Sequence, residues 1–250
     1  MRALQDQVIL VTGGARGIGR AIAEEALAAG ARVAIWALKP DSVREAREAM
    51  PGLSWADAVD VGDQAAVQRG LERLVGALGP VDVLINNAGY TLTSRFLDED
   101  PAYWHRVVDT NFWGVVFTTR AVLPSMVERQ QGSIVNVVSD AGRVGMAGEA
   151  IYAGAKGGVV AFAKSMAQEM ARYQVRVNCV APGPTRTRIL ETNSEDQDAE
   201  KLIEKMIRRI PLRRIAEPSE VAQVTLFLAG PGASHVTGQV LSVSGGLTMV

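Results

Sequence analysis

Short apolar runs alternate with longer amphipathic stretches along nearly the whole chain. Seven runs rich in β-branched residues are predicted to be strands: 7–12, 32–36, 54–59, 81–85, 132–138, 174–180 and 239–243. The stretches between them have apolar residues at helical spacing and are predicted to be helices: 18–29, 41–49, 63–78, 100–128, 151–172 and 218–229. Several strands are continuously apolar, which is typical of a parallel sheet covered on both faces.

The alternation of strands and helices predicts the architecture. Right-handed crossovers between successive parallel strands give an α/β fold, a doubly wound seven-stranded parallel sheet with helices on both faces. Residues 1–250 contain no linker, repeat or low-complexity tract, so we predict a single domain. The one break in composition is 188–205, and we interpret 188–215 as a lid within that domain.

Composition and charge exclude several classes of function. The formal net charge is −1, which argues against nucleic acid or an acidic membrane as a partner. The single Cys179 allows no internal disulfide, and two distant histidines indicate no metal site. The first ten residues lack the apolar core of a signal peptide, and no stretch is apolar enough to span a membrane. We therefore expect a cytoplasmic protein.

A glycine-rich turn separates the first predicted strand from the first helix, and it reads Thr12-Gly13-Gly14-Ala15-Arg16-Gly17-Ile18-Gly19. In such a turn Gly13 permits the tight bend, Gly17 lets the backbone approach a pyrophosphate, and Gly19 packs helix against sheet. The helix that begins at Ile18 offers free N–H groups and the positive end of its dipole to phosphates. This context favours dinucleotide binding over a purely structural turn.

The segment after the fourth strand strengthens that interpretation. It reads LINNAGY and spans residues 84–90, with Asn87, Ala88 and Gly89 directly after the strand. The carboxyl ends of strands are where open α/β sheets bind ligands. An asparagine-rich structural turn is the alternative.

The end of the second strand bears on which cofactor binds. An acidic residue usually holds the adenosine ribose there, but this chain has Ala37, followed by Leu38 and Lys39. A 2′-phosphate would meet no carboxylate, and Arg16 and Lys39 could supply positive charge. Charged hydrogen bonds of this kind contribute about 1.5–3 kcal/mol. We predict that NADP(H) is favoured and that NAD(H) is possible.

A tyrosine and a lysine four residues apart are candidates for proton transfer. Tyr152 and Lys156 would share one face of a helix. An ordinary phenol has a pKa near 10, and a neighbouring ammonium or a cationic nicotinamide ring would lower that pKa. The pair by itself could equally be an ordinary surface pair.

Two further polar positions give the pair a context. Ser139 ends a predicted strand 13 residues before Tyr152, where its hydroxyl could bind a substrate carbonyl. Asn111 lies in an apolar helix, where a buried amide requires a partner. Gly154, Gly157 and Gly158, on the helix of Tyr152, indicate close approach by another helix or a ligand.

Together these motifs resemble the short-chain dehydrogenase/reductase family, which has a Rossmann fold. The resemblance covers essentially the whole chain and rests on VTGGARGIG, NNAG, Asn111, Ser139, YAGAK, PGPTRT and GQVLSVSGG. The sequence is similar to 3-oxoacyl-ACP reductase-like and 2-hydroxycyclohexanecarboxyl-CoA dehydrogenase-like members. The resemblance implies hydride transfer between a nicotinamide and a carbonyl or alcohol carbon, and a homotetramer.

The resemblance also assigns roles to residues. It implies that Tyr152 is the general acid/base, that Ser139 orients the substrate oxygen, and that Asn111 anchors a water in a proton relay. Lys156 would lower the pKa of Tyr152 and hold the nicotinamide ribose. The implied cofactor contacts are Gly13, Arg16, Gly17, Ile18, Gly19, Ala37, Leu38, Lys39, Asp60, Val61, Asn87, Ala88, Gly89, Tyr152, Lys156, Pro182, Gly183, Thr185 and Thr187. The implied substrate contacts are Ser139, Met146, Glu149, Tyr152 and Ile189.

The sequence is compatible with more than one class of substrate. Apolar Met146, Ile151 and Ile189 suit a ketone or secondary alcohol that is cyclic or bulky, and 3-oxoacyl or cyclic hydroxyacyl thioesters are the alternative. The arginines near the predicted lid could meet CoA phosphates or form a solvated basic face; they are Arg186, Arg188, Arg208, Arg209, Arg213 and Arg214. A dinucleotide-binding regulator without catalysis is a second alternative, against which the complete set of four candidate catalytic residues argues.

Overall fold

The computed structural model describes residues 4–187 and 204–250. The strands are β1 (Val8–Thr12), β2 (Arg32–Ala37), β3 (Trp55–Ala58), β4 (Val83–Asn86), β5 (Gly132–Val137), β6 (Val175–Pro182) and β7 (Val240–Val243). The helices are α1 (Gly17–Ala28), α2 (Pro40–Ala49), α3 (Gln64–Leu78), α4 (Pro101–Val108), α5 (Gly114–Glu128), α6 (Ala141–Val144), α7 (Ala150–Met170) and α8 (Pro218–Ala229). Residues 204–209 are also helical.

The seven strands form one parallel sheet in the order β3-β2-β1-β4-β5-β6-β7. This confirms the predicted fold class. The strand order reverses between β1 and β4, so the loops after these two strands diverge to opposite faces and leave a crevice. Open α/β sheets bind their ligands in such a crevice, outside the carboxyl ends of the strands.

Apolar side chains cover both faces of the sheet. One layer packs α3, α5 and α7 on one face, around Leu10, Leu84 and Val177. The other packs α1 and α8 on the opposite face, around Ile9 and Ile85. Adjacent residues of a strand point to opposite faces, so a strand buried on both sides is apolar at most positions along its length. This accounts for the unbroken apolar runs in the sequence.

The predicted helix 100–128 is continuous but not uniform. Between α4 and α5 the chain makes one π turn, Asp109–Trp113, with Asn111 at its centre. The Asn111 side chain donates to the carbonyl of Val107, 2.9 Å away. A π turn inside an α-helix often marks a functional site, and no periodicity argument predicts one.

The helix α7 carries the candidate tyrosine and lysine, and glycines let its neighbours approach it. A Cβ at Gly157 would lie 3.0 Å from the carbonyl oxygen of Gly142 in α6. A Cβ at Gly158 would lie 3.2 Å from the ring of Phe112. The predicted close approach is therefore present at Gly157 and Gly158, and one of the approaching segments is α6, which the sequence did not predict. The prediction was wrong for Gly154, where a Cβ would meet no atom of the described residues within 4 Å.

Candidate active site

The loops after β1 and β4 meet in the crevice and are joined by hydrogen bonds. The hydroxyl of Thr12, at the end of β1, accepts from the backbone N–H groups of Asn87 and Ala88, each at 3.0 Å. The Asn87 amide donates to the carbonyls of Thr12 and Gly13 at 3.1 and 3.2 Å. The two predicted cofactor segments therefore form one rigid unit. Thr12 is a structural partner that the sequence analysis did not single out, although it is a polar residue at the end of an apolar strand.

The glycine-rich turn has the geometry that its sequence predicts. Gly13 and Gly17 have φ values of +64° and +55°, in the left-handed region that favours glycine. A Cβ at Gly19 would lie 2.3 Å from the carbonyl oxygen of Gly13, so only glycine fits there. Arg16 is the N-cap of α1 and makes no side-chain capping bond. The first N–H groups of α1, including that of Ile18, are therefore available to an anion.

The end of β2 lies next to this turn, because Gly14 N–H donates to the carbonyl of Trp36 at 3.2 Å. Ala37 is buried, whereas Leu38 and Lys39 are exposed beyond the strand. The carbonyl of Ala37 accepts from Val59 N–H at 2.9 Å, which brings the segment containing Asp60 and Val61 alongside. The Asp60 carboxylate binds the N–H of Gly62 at 2.9 Å, and Val61 packs against Gly114. The predicted adenosine contacts are thus neighbours.

Asn111 is fully buried and has the partners that its burial requires. Its amide nitrogen donates to the carbonyl of Tyr90 at 2.7 Å, and its Oδ1 accepts from Tyr90 N–H at 3.4 Å. A Cβ at Gly89 would lie 3.0 Å from Asn111 Oδ1 and 3.8 Å from Lys156 Nζ. Glycine at this position keeps the space between the asparagine and the lysine open.

Ser139, Tyr152 and Lys156 converge at the carboxyl end of β5. The Ser139 hydroxyl is close enough to the Tyr152 phenol to lower its pKa, and it accepts from Ala141 N–H at 3.1 Å. Lys156 is buried, and its Nζ donates to the carbonyl of Val137 at 2.9 Å. Lys156 Nζ is 5.7 Å from the centre of the Tyr152 ring. The four candidate catalytic residues therefore surround a single space.

Burial and neighbouring side chains set the pKa values of Tyr152 and Lys156. Burial raises the pKa of Tyr152 to about 12, the Glu149 carboxylate raises it further, and the hydrogen bond from Ser139 opposes the rise. Burial also lowers the pKa of Lys156 to about 8. Its ammonium is directed at the Val137 carbonyl rather than at the phenol oxygen. A lowered tyrosine pKa therefore needs a further positive charge, such as an oxidised nicotinamide ring.

The segment after β6 lies across the glycine-rich turn. Gly183 N–H donates to the carbonyl of Val243 at 3.0 Å, directly after Pro182. A Cβ at Gly183 would meet Ser244 at 2.7 Å, so glycine is required. The Thr185 hydroxyl donates to Gly183 O at 3.0 Å. The methyl group of Thr187 lies 3.5 Å from the position of a Cβ at Gly17. The predicted cofactor contacts after β6 therefore lie against the glycine-rich turn, and the cradle that the two segments form suits a dinucleotide.

Two of the predicted substrate contacts, Met146 and Glu149, lie near the start of α7. Glu149 is partly buried at the start of α7, and burial raises the pKa of its carboxyl group. Met146 is 46% exposed at the rim. The backbone of Ser94 donates to Gly148 O at 3.0 Å, which brings the loop after β4 to this rim. Ile189 and most of the predicted lid lie outside the described residues.

The arginines near the lid are mostly paired with carboxylates. Arg186 bonds Glu217 at 2.9 Å, and Arg214 makes two bonds of 2.6 Å to Glu220. A further pair links Arg208 to Glu204. Of the two readings of this cluster, the pairing favours the solvated face over phosphate capture. Arg188 lies outside the described residues.

Two findings concern what the described residues lack. In 4–187 and 204–250, no group of three or more His, Cys, Asp or Glu side chains is arranged to hold a metal ion. Over the same ranges, no helix has the length and apolar character needed to cross a membrane.

Comparison with known proteins identifies the family. The family described as enoyl-(acyl carrier protein) reductase matches residues 13–248. A 3-oxoacyl-(acyl-carrier-protein) reductase FabG of Thermotoga maritima is 39% identical, over 98% of this chain and 99% of the relative. The FabG proteins of Chlamydia pneumoniae and Escherichia coli are 37% and 35% identical, over 96% and 98% of this chain and 96% and 99% of the relatives. With its parallel sheet, its glycine-rich turn and the cluster formed by Asn111, Ser139, Tyr152 and Lys156, the chain belongs to the short-chain dehydrogenase/reductase family of oxidoreductases.

Proposed function

We propose that this protein reduces 3-oxoacyl thioesters to 3-hydroxyacyl thioesters and uses NADPH as the reductant. The observation that carries the proposal is the convergence of Ser139, Tyr152 and Lys156 beside the glycine-rich turn. Full-length similarity to several 3-oxoacyl-(acyl-carrier-protein) reductases supports the thioester substrate over the cyclic or bulky ketone that the sequence alone favoured.

The proposed chemistry assigns one task to each side chain. The Ser139 hydroxyl binds the C3 carbonyl oxygen and holds it against the phenol of Tyr152. When bound beside these side chains, a reduced nicotinamide would supply the hydride for C3. Tyr152 donates its phenolic proton to the carbonyl oxygen, so a C–H and an O–H bond form while the C=O π bond is lost. A positioned general acid of this kind accelerates such a reaction by about 10²–10⁴-fold.

Lys156 and Asn111 would restore the proton on Tyr152. One of the three N–H groups of the Lys156 ammonium donates to Val137 O, which leaves two to donate to a ribose hydroxyl and to a water. Among the described residues, the Asn111 Oδ1 accepts a single bond, from Tyr90 N–H at 3.4 Å, and so can hold that water. The opening at Gly89 lies between the two side chains. This route is the proton relay that the family resemblance implies.

The cofactor fits the residues that are present. The uncapped start of α1 would bind the pyrophosphate, and Ala37 leaves the ribose 2′-position free of a carboxylate. Arg16 and Lys39 are both on the surface beside it. Kinship with a family of nicotinamide-dependent reductases agrees with the prediction that NADP(H) is favoured.

The first experiment compares substrates and cofactors together. We expect NADPH consumption with acetoacetyl thioesters of CoA and of acyl carrier protein, and slower consumption with NADH. Crotonyl-CoA tests for reduction of a C=C bond, and substituted cyclohexanones test the cyclic-ketone alternative. Turnover confined to cyclohexanones, or to crotonyl-CoA, would contradict the proposal. Binding of NADPH without turnover of any of these compounds would favour a regulator.

A titration tests how Glu149 influences the tyrosine. Because burial and the Glu149 carboxylate both raise the pKa of Tyr152, its phenolate should be a minor species even near pH 11. In Glu149→Gln one of these causes is removed, so the phenolate should appear at lower pH. The measurement is the ultraviolet absorbance of phenolate against pH, with the Tyr152→Phe curve subtracted. Glu24→Gln, which removes an exposed carboxylate from α1, should leave the curve unchanged.

The homotetramer is also a proposal. Aromatic rings on the α5 side of the molecule are stacked at the surface, with Trp113 43% exposed and 5.8 Å from Phe117. Exposed stacked aromatics are typical of surfaces covered by another protein. A second copy of this chain is the partner that the family resemblance implies.

A further inference from the structure

Three side chains form a charged hydrogen-bond chain next to Ser139. Arg143 Nη1 donates to the Ser242 hydroxyl at 2.5 Å, and Ser242 donates to Asp140 Oδ1 at 2.5 Å. The Asp140 and Arg143 side chains are 7% and 15% exposed, and their charged atoms lie 4.0 Å apart. We call these three residues the serine clamp.

The serine clamp joins parts of the chain that are distant in sequence. Ser242 is 102 residues from Asp140 and lies on β7, the edge strand of the sheet. Asp140 directly follows Ser139, and its N–H donates to the carbonyl of Pro182 at 3.3 Å. The clamp therefore connects the Ser139 turn with β7, and the backbone of Asp140 connects the same turn with β6.

The other side of the same turn rests on the helix of Tyr152. A Cβ at Gly142 would lie 2.8 Å from the backbone nitrogen of Gly157 and equally close to the carbonyl carbon of Lys156. The short helix α6 is thus held between α7 and the serine clamp. Because the contact between Gly142 and Gly157 involves no side chains of these two residues, the side-chain hydrogen bonds that hold α6 on its other side come from the serine clamp.

The hydrogen bonding of Asp140 depends on the clamp. Its Oδ2 is buried and accepts no hydrogen bond from a residue in the part of the chain that the structure describes. Its Oδ1 has the Ser242 hydroxyl as its hydrogen-bond donor. A buried carboxylate that loses such a partner has to move towards its cation or towards water. Movement of Asp140 would move the adjoining Ser139.

We propose that Asp140, Ser242 and Arg143 are positioning residues that set the distance between the Ser139 hydroxyl and the Tyr152 phenol. The role rests on the proposed carbonyl reduction, in which these two hydroxyls bind one oxygen. A displacement of about 1 Å at such a site can lower the rate of reaction by about a hundredfold. In this role the clamp acts through Ser139, the residue next to Asp140 in the chain.

The test compares Ser242→Ala with a variant that keeps the hydroxyl and with one that removes a hydroxyl elsewhere. We expect Ser242→Ala to lower kcat for acetoacetyl-CoA about ten- to a hundredfold, with the dissociation constant of NADPH unchanged. Ser242→Thr should restore most of kcat. Thr225→Val removes a buried hydroxyl that donates to Val221 O on α8, and it should leave kcat unchanged.

A readout without substrate separates positioning from general stability. The hydrogen bond from Ser139 lowers the pKa of Tyr152. Displacement of Ser139 in Ser242→Ala should therefore shift the appearance of the Tyr152 phenolate to higher pH. Arg143→Met removes only the cationic end of the clamp and should also shift the appearance of the Tyr152 phenolate to higher pH. It serves as a second variant if Ser242→Ala does not fold.

The kcat and phenolate measurements on the clamp variants distinguish a positioning role from a structural one. If Ser242→Ala and Arg143→Met titrate like wild type and keep its kcat, the serine clamp is only structural and the proposal is wrong. If wild type does not reduce acetoacetyl-CoA, the proposed function fails, and the phenolate titration still decides whether the clamp positions Ser139. If Ser242→Ala loses as much stability as Thr225→Val and its Tyr152 phenolate appears at higher pH than in wild type, the proposal is supported.

Discussion

Tyr152→Phe is expected to lower kcat by about 10²–10⁴-fold while NADPH still binds with nearly unchanged affinity. The variant keeps the ring and loses only the phenolic proton that the carbonyl oxygen requires. The substituted side chain would still pack beside Ser139 and Lys156. Steady-state rates with acetoacetyl-CoA and fluorescence titration with NADPH measure the two quantities separately.

Tyr173→Phe is the matched control, because this tyrosine lies beyond the far end of α7 and stacks with Arg172. It should retain full activity. Equal kcat in Tyr152→Phe and wild type would remove Tyr152 from the mechanism. A parallel loss of NADPH binding would instead show that the phenol is needed to form the cofactor site.

Ala37→Asp is expected to reverse the cofactor preference from NADPH to NADH. A carboxylate at the end of β2 would repel a 2′-phosphate and accept hydrogen bonds from a ribose diol. Each effect is comparable to a charged hydrogen bond of about 1.5–3 kcal/mol. Together they change the ratio of kcat/KM for NADPH to that for NADH by about 10²–10⁴-fold. Side-by-side rates with the two cofactors at one saturating acyl substrate measure this ratio.

The control for charge alone is Ala49→Asp, at the exposed end of α2. It adds the same carboxylate away from the carboxyl end of β2 and should leave the ratio unchanged. If wild type itself prefers NADH, the interpretation of Ala37 is wrong and other contacts to the ribose dominate. In that case the roles of Ser139 and Tyr152 are unaffected.

The secondary structure and the order of motifs could be predicted because they depend on neighbouring residues. All seven predicted strands are present, and α8 begins at Pro218, where the Glu220 carboxylate accepts from Glu217 N–H at 2.8 Å. Helix starts, glycine turns and apolar strands are encoded in runs of a few residues. The positive φ values of Gly13 and Gly17 follow from the same local chemistry.

Local irregularities were less accessible to prediction. The π turn at Asp109–Trp113 depends on the bonds that Asn111 makes to Val107 and to Tyr90, which belongs to another loop. The helix α6 has only four residues and is held by contact with α7 and by Arg143. Neither feature leaves a periodic signal in the sequence.

The sequence alone therefore determined the fold class, the dinucleotide turn and the identity of the candidate catalytic residues, since each is written in a short run of the chain. The tertiary structure decided the electrostatics and the alignment of the site. Burial in the fold raised the pKa of Tyr152, tertiary contacts paired Arg186, Arg208 and Arg214 with carboxylates, and the sheet brought Ser242 to Asp140 across 102 residues. Burial and contacts between distant segments determine these properties, and both exist only once the chain has folded.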